Sequence, residues 1–119
     1  MKRLTRKEEE VMKILWKLEK AFIKEIIEEY TDPKPHYNTV SSLVRGLQDK
    51  DLVGYMQYGN TYQYYPRISR EAYRRPFMKQ IINDYFDNSY KSVVTFFVKE
   101  NRLSPEELEE LIEMIKDQK

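Results

Sequence analysis

The chain has 119 residues, of which 40% are hydrophobic, 13% aromatic and 34% charged, so it folds as one domain, or as one small domain with an appended arm. The absence of cysteine excludes disulfide frameworks, thiolate catalysis and Cys-ligated metals, and a single histidine, His36, leaves no histidine ligand set. The net charge of +1 hides an asymmetry: residues 1–66 carry 11 Lys/Arg against 10 Asp/Glu, residues 67–103 carry 8 against 4, and residues 104–119 carry 2 against 6. A basic middle and an acidic end point to separate tasks for separate segments.

Thr5 and Glu8 form a capping-box pattern, after which Val11, Met12, Leu15 and Leu18 recur on one face, widened by Ile14 and Trp16. This predicts a helix over 6–18, with Trp16 in the core. Phe22, Ile23, Ile26, Ile27 and Tyr30 repeat at helical spacing in a second helix, which Thr31-Asp32-Pro33-Lys34-Pro35 must stop. A third helix is predicted over about 36–50, with Val40, Leu43, Val44 and Leu47 turned inward. Its opposite face carries Asn38, Ser41, Ser42, Arg45 and Asp49, short and hydrogen-bonding where the first helix is rich in Lys and Glu.

The period then changes. Val53–Tyr58 and Thr61–Tyr65 are aromatic-rich runs around a Gly59-Asn60 turn, with Pro66 closing the second. A turn at that dipeptide sets Gln57 opposite Tyr62 and Tyr55 opposite Tyr64. Three helices followed by a two-stranded ribbon make a winged helix-turn-helix over residues 1–66. Residues 67–119 are helical again, in segments 72–86, 89–100 and a last one opened by Ser104-Pro105-Glu106-Glu107. The fold class is therefore mainly α: a winged helix-turn-helix plus three amphipathic helices, whose surplus apolar surface predicts a homodimer. The interface is expected at Tyr73, Phe77, Ile81, Tyr85 and Phe86, continuing through Val94, Phe97, Leu108, Leu111, Ile112 and Ile115.

Three glycines without a Gly-rich loop offer no phosphate cradle, and no nucleophile has a paired base. Hence no enzymatic activity, no cofactor, no metal site and no small-molecule substrate are expected. No apolar run approaches 18 residues and the start lacks a signal-peptide core, so a soluble, cytoplasmic protein is expected.

The opening Thr5…Glu8…Val11-Met12…Leu15-Trp16, the segment Tyr37-Asn38-Thr39-Val40…Leu43 and Tyr64-Tyr65-Pro66 resemble the penicillinase-repressor family of BlaI/MecI type, which includes a copper-responsive CopY branch. The resemblance runs over nearly the whole chain. It implies a dimeric transcriptional repressor on an inverted-repeat operator ahead of antibiotic-resistance or related genes. It also implies release when a membrane sensor metalloprotease triggers cleavage in the C-terminal region. Gly46 stands where the family usually has arginine, Ser42 where it has threonine, and Asp51 where it has glycine. Phe96-Phe97 occupies the place of the scissile Asn-Phe pair of staphylococcal members, so a cut within 87–103 is expected, without a strict Asn-Phe rule. Copper sensing through C-terminal cysteines is excluded.

The expected partner of the third helix is double-stranded DNA. Arg45 would reach a guanine edge or a phosphate, with Asn38, Thr39, Ser41 and Ser42 on bases or backbone near the helix start. Asn38 and Thr39 are equally good helix caps. His36 and Tyr37 precede the helix, where phosphate contacts fall, and Tyr58, Asn60, Thr61 and Tyr62 form the wing tip. Arg67, Arg70, Arg74 and Arg75 suit either flanking phosphates or the acids of a partner chain. The competing reading is a winged-helix module that binds proteins and not DNA.

Overall fold

The computed structural model describes residues 3–117, in the order α1 (Arg6–Leu18), α2 (Ile23–Glu28), α3 (Tyr37–Asp49), β1 (Val53–Tyr58), β2 (Thr61–Pro66), α4 (Arg70–Phe86), α5 (Tyr90–Lys99) and α6 (Pro105–Asp117). They form two compact units that divide inside α4, between Arg75 and Pro76. The winged-helix order predicted from the sequence is the order observed.

In the first unit, α1 begins at a complete capping box: the Glu8 N–H donates to Thr5 Oγ1 (3.2 Å) and the Thr5 N–H to Glu8 Oε1 (2.9 Å). Its inner face buries Val11, Met12 and Leu15 against Ile26 of α2 and Val40, Val44 and Leu47 of α3, all fully inaccessible to solvent. Complete burial of such side chains is the main favourable term of the fold, about 1.5–3 kcal/mol each before entropy is counted. α2 ends at Glu28, short of the spacing that continues to Tyr30. Its last turn tightens, with Glu29 and Tyr30 N–H groups reaching back only three residues, to Ile26 and Ile27. Lys34 Nζ then donates to the Glu28 and Tyr30 carbonyls (3.2 and 2.7 Å), supplying partners for acceptors that the helix leaves open.

The ribbon is antiparallel, with Tyr55 opposite Tyr64 and Gln57 opposite Tyr62, the register read from the sequence. Gly59 turns it at φ 61, a backbone region that costs glycine nothing. A Cβ on Gly54 would lie 2.6 Å from the Tyr65 ring, so only glycine lets that tyrosine lie across the strand. Ala21, between α1 and α2, adds a single rung to the other edge of β2. Its N–H donates to the Tyr64 carbonyl (2.9 Å), and the Tyr64 N–H donates back (2.8 Å).

Trp16 differs from its expected place. It is half-buried, and the segment after the wing covers it. Its indole N–H donates to the Ile68 carbonyl (2.8 Å), its ring stands 5.8 Å from that of Tyr73, and the Arg70 guanidinium lies 5.7 Å from its centroid. Tyr73, expected on the dimer side, is only 4% exposed and belongs to this unit. Its hydroxyl accepts the Leu4 N–H (3.2 Å) and donates to Glu9 Oε2 (2.9 Å). The apolar spacing of α4 runs on unbroken, so periodicity alone does not show that the helix changes unit at Pro76.

In the second unit, Ser89 caps α5 by accepting the Ser92 N–H (3.1 Å), and Ser104 and Glu107 close a full capping box on α6. Phe86, Phe96 and Phe97 stack edge-on in sequence, with centroids 5.9 and 5.4 Å apart. Neither α5 nor α6 contains a buried residue.

Candidate nucleic-acid interface

α3 is held by its C-terminal end and its inner face. Glu8, at the start of α1, is buried and receives Lys50, the residue that closes α3, with Nζ 2.9 and 2.8 Å from its two carboxylate oxygens. Burial pushes the Glu8 carboxyl up, but the bonds from Lys50 and Thr5 outweigh it and hold the group below the usual carboxylate range. Gly46 faces the same carboxylate, with a Cβ there lying 3.5 Å from Glu8 Oε2. Position 46 thus looks toward α1. Arg45, one residue earlier, is on the exposed side.

The outer face of α3 presents Asn38, Thr39, Ser42 and Arg45 to solvent, with Ser41 half-buried. Residue 36 is the N-cap, yet its side chain makes no capping bond; the backbone carbonyl of His36 receives the Thr39 and Val40 N–H groups instead. Asn38 and Thr39 lie within the first turn, and their side chains cap nothing. Their side chains remain available for another molecule.

The fold brings part of this face to the wing. Tyr37, Ser41 and Arg45 line one cleft with Asn60, Thr61, Tyr62 and Tyr64, closed at its other side by Phe22, Ile23, Lys24 and Glu25 from the start of α2. His36, Asn38, Thr39, Ser42 and Tyr58 stand outside it. Tyr58 packs on Phe22, with ring centroids 6.0 Å apart. Tyr55, Tyr62 and Tyr64 form a cluster on one face of the ribbon, at 4.9 to 6.4 Å. Burial pushes the Tyr64 phenol above its ordinary pKa, and the neighbouring Tyr37 and Tyr62 add to the rise, with Arg45 opposing it. Phe22 and Lys24 were not legible as site residues. They arrive because Ala21 pairs with β2, and one isolated rung leaves no period in a sequence.

Two of the four arginines after the wing are engaged within their own unit. Arg67 pairs with Asp51 at 3.2 Å, and Arg70 lies over Trp16. Among the described residues, no group of three or more His, Asp and Glu side chains is placed to hold a metal ion.

Comparison with known proteins matches residues 4–117 to the family described as Penicillinase repressor. The methicillin resistance regulatory protein MecI of Staphylococcus aureus (strain N315) is 30% identical over 103 residues, covering 86% of this chain and 84% of that protein. The penicillinase repressor of Bacillus licheniformis is 26% identical over 115 residues, covering 92% and 87%. The penicillinase repressor of Staphylococcus aureus is 27% identical over 109 residues, covering 91% and 86%.

Proposed function

The chain belongs to the penicillinase repressor family, and from that premise we propose that it represses transcription as a homodimer bound to an inverted-repeat operator. The observation that carries the reading is the outer face of α3. Asn38, Thr39, Ser42 and Arg45 are exposed there, without hydrogen-bond or ion-pair partners among the described residues, and Arg45 lies beside the wing tip. A helix whose inner face is locked by Val40, Val44, Leu47 and the Glu8–Lys50 pair is a rigid support for such side chains. Inserted in a major groove, it places Arg45 at a base edge, while Tyr58, Asn60 and Thr61 meet the flanking backbone. His36 and Tyr37 fall at the phosphates near the helix start.

Dimerisation through residues 76–117 would set two such helices about 34–36 Å apart, one turn of duplex, which an inverted repeat matches. Exposed Ile81, Tyr85, Val94, Phe97, Leu111, Ile112 and Ile115 supply the interface, with Phe77, Phe86 and Leu108 half-buried beside them. Release follows cleavage within residues 87–103, a region containing Phe96-Phe97, by a protease under a membrane sensor. The names of the relatives tie them to penicillinase and methicillin resistance, and the same class of response is proposed here. A repressor bound to its operator would act in the cytoplasm; among the described residues no helix is long and apolar enough to cross a membrane.

The test is Arg45→Ala titrated against specific and scrambled duplexes at two salt concentrations. Loss of a bidentate guanine contact removes about 1–3 kcal/mol of discrimination at one operator position. Loss of a phosphate contact weakens all sequences alike and lowers the salt slope by about 2 for a symmetric dimer. Unchanged affinity for both duplexes would remove α3 as the reading surface and favour a protein-binding module.

A further inference from the structure

The cleft between α3, the wing and the start of α2 is more than the space beside a reading helix. Its volume is about 730 Å³, within the range of small-molecule sites and large for a solvation gap. Its walls are unlike a phosphate track. Phe22, Tyr37, Tyr62 and Tyr64 give it aromatic surface, and Tyr64, only 9% exposed, is the most buried of the four. The raised Tyr64 phenol stays a neutral hydrogen-bond donor across the physiological range.

The charges are also unequal in their commitments. Lys24 and Arg45 form no ion pair among the described residues, whereas Glu25 Oε1 already accepts the Phe22 N–H at 2.8 Å. The cleft therefore offers ring faces, a nearly buried phenol that stays a neutral donor and an unpaired guanidinium suited to bidentate binding of a carboxylate. A phosphate would leave the aromatic walls unused and would bring more negative charge near Glu25. An aliphatic acid would use the charge but not the ring geometry, where edge-to-face contacts add to simple burial.

We propose that this cleft is a binding site for a small mono- or bicyclic aromatic carboxylate, with the ring among Tyr37, Tyr62 and Tyr64 and the carboxylate on Arg45. Such a ligand and the operator compete for the same guanidinium, so the ligand releases the repressor from DNA without proteolysis. Binding depends on the cleft alone; the competition rests on the DNA-reading role proposed for Arg45.

The probe is 2-naphthoate, titrated calorimetrically into the intact protein without DNA, with neutral 2-naphthamide as its control. Binding with Kd of about 0.1–1 mM is expected, weakened about tenfold or more for the amide and for Arg45→Gln, whose exposed position leaves the fold intact. Tyr64→Phe, assessed beside its melting curve, should weaken naphthoate by a few-fold without changing the order of acid over amide. Equal binding of acid and amide, unchanged binding by Arg45→Gln, or displacement by inorganic phosphate at similar concentration would each overturn the site. Naphthoate that binds as expected yet leaves a bound operator duplex in place would overturn the competition. If Arg45→Ala leaves DNA affinity unchanged while naphthoate binding falls, the DNA-reading role fails and the ligand site stands.

Discussion

The two compact units use similar apolar content in opposite ways. In the first, α1, α2, α3 and the ribbon bury Val11, Met12, Leu15, Ile26, Val40, Val44 and Leu47 completely against one another. In the second, α5 and α6 bury nothing, and the exposed side chains include Tyr85 (78%), Ile115 (69%), Met114 (61%) and Phe96 (48%). Their helices are nevertheless well begun, with Ser89 and Ser104 caps as good as Thr5 in α1. Local signals thus specify both units equally, and only packing separates them. Capped helices with open apolar faces are what one half of a divided core looks like, and obligate dimers bury on the order of 2,000 Å² or more in this way.

The largest effect comes from cutting the chain where the units divide. Residues 1–75 should fold as a monomer at micromolar concentration while the full chain elutes as a dimer, and operator affinity should fall by about 10²–10⁴ as two-site binding is lost. Sizing chromatography with duplex titration checks this. A monomeric full chain would break the contrast between the units. The cut must follow Arg75: a chain ending at Pro66 also loses the Ile68 carbonyl and the Tyr73 ring that cover Trp16, and it should melt lower than residues 1–75.

That boundary shows how much of the molecule could be read in advance. The capping boxes, the α1 face and the ribbon register follow from spacing and turn chemistry, because each involves neighbours in sequence or one fixed turn. Other features escaped because they join distant residues through single contacts. Tyr73 and Leu4 are 69 positions apart, Lys50 and Glu8 are 42 apart, and Ala21 meets Tyr64 by one bridge. The polar face of α3 was legible, since its short side chains contrast with the Lys/Glu pattern elsewhere. Its joining to Phe22 and Lys24 in a cleft was not.

A medium effect tests the lock between α1 and α3. Glu8 has a lowered pKa in the folded state, so its ionised form stabilises the protein above the unfolded value near 4.5, and that contribution is lost as pH falls through the lower folded value. Melting of residues 1–75 should therefore show a drop in stability on acidification below about pH 4.5 that Glu8→Gln reduces. Lys50→Met leaves a buried carboxylate short of a partner and should cost about 1–2 kcal/mol at neutral pH. A Lys50→Met melt equal to wild type would mean that Thr5 alone satisfies Glu8. Both changes should act on the first unit and leave the oligomeric state of the full chain as it was, which sharpens the contrast between the units.

The smallest effect concerns the turn between α3 and β1. Asp51 sits at φ 64, a left-handed conformation that disfavours side chains with a Cβ, although Asp tolerates it better than most. What holds it there is the junction itself: the Asp51 N–H donates to the Gln48 carbonyl (2.9 Å) and the Leu52 N–H to the Leu47 carbonyl (3.0 Å), ending α3 so that β1 can start at Val53. Asp51 also pairs with Arg67 at 3.2 Å, but both side chains are largely exposed, so solvent screens the pair and its contribution is small. Asp51→Gly relieves the backbone conflict while giving up that weak pair, and should raise stability by about 0.5–1 kcal/mol. Asp51→Ala gives up the same pair and keeps a Cβ in the left-handed region, so it should lower stability by a similar amount. Two substitutions that remove the same carboxylate thus move the melting temperature in opposite directions. If both lower it equally, the ion pair with Arg67 outweighs the backbone, and the junction is held by charge.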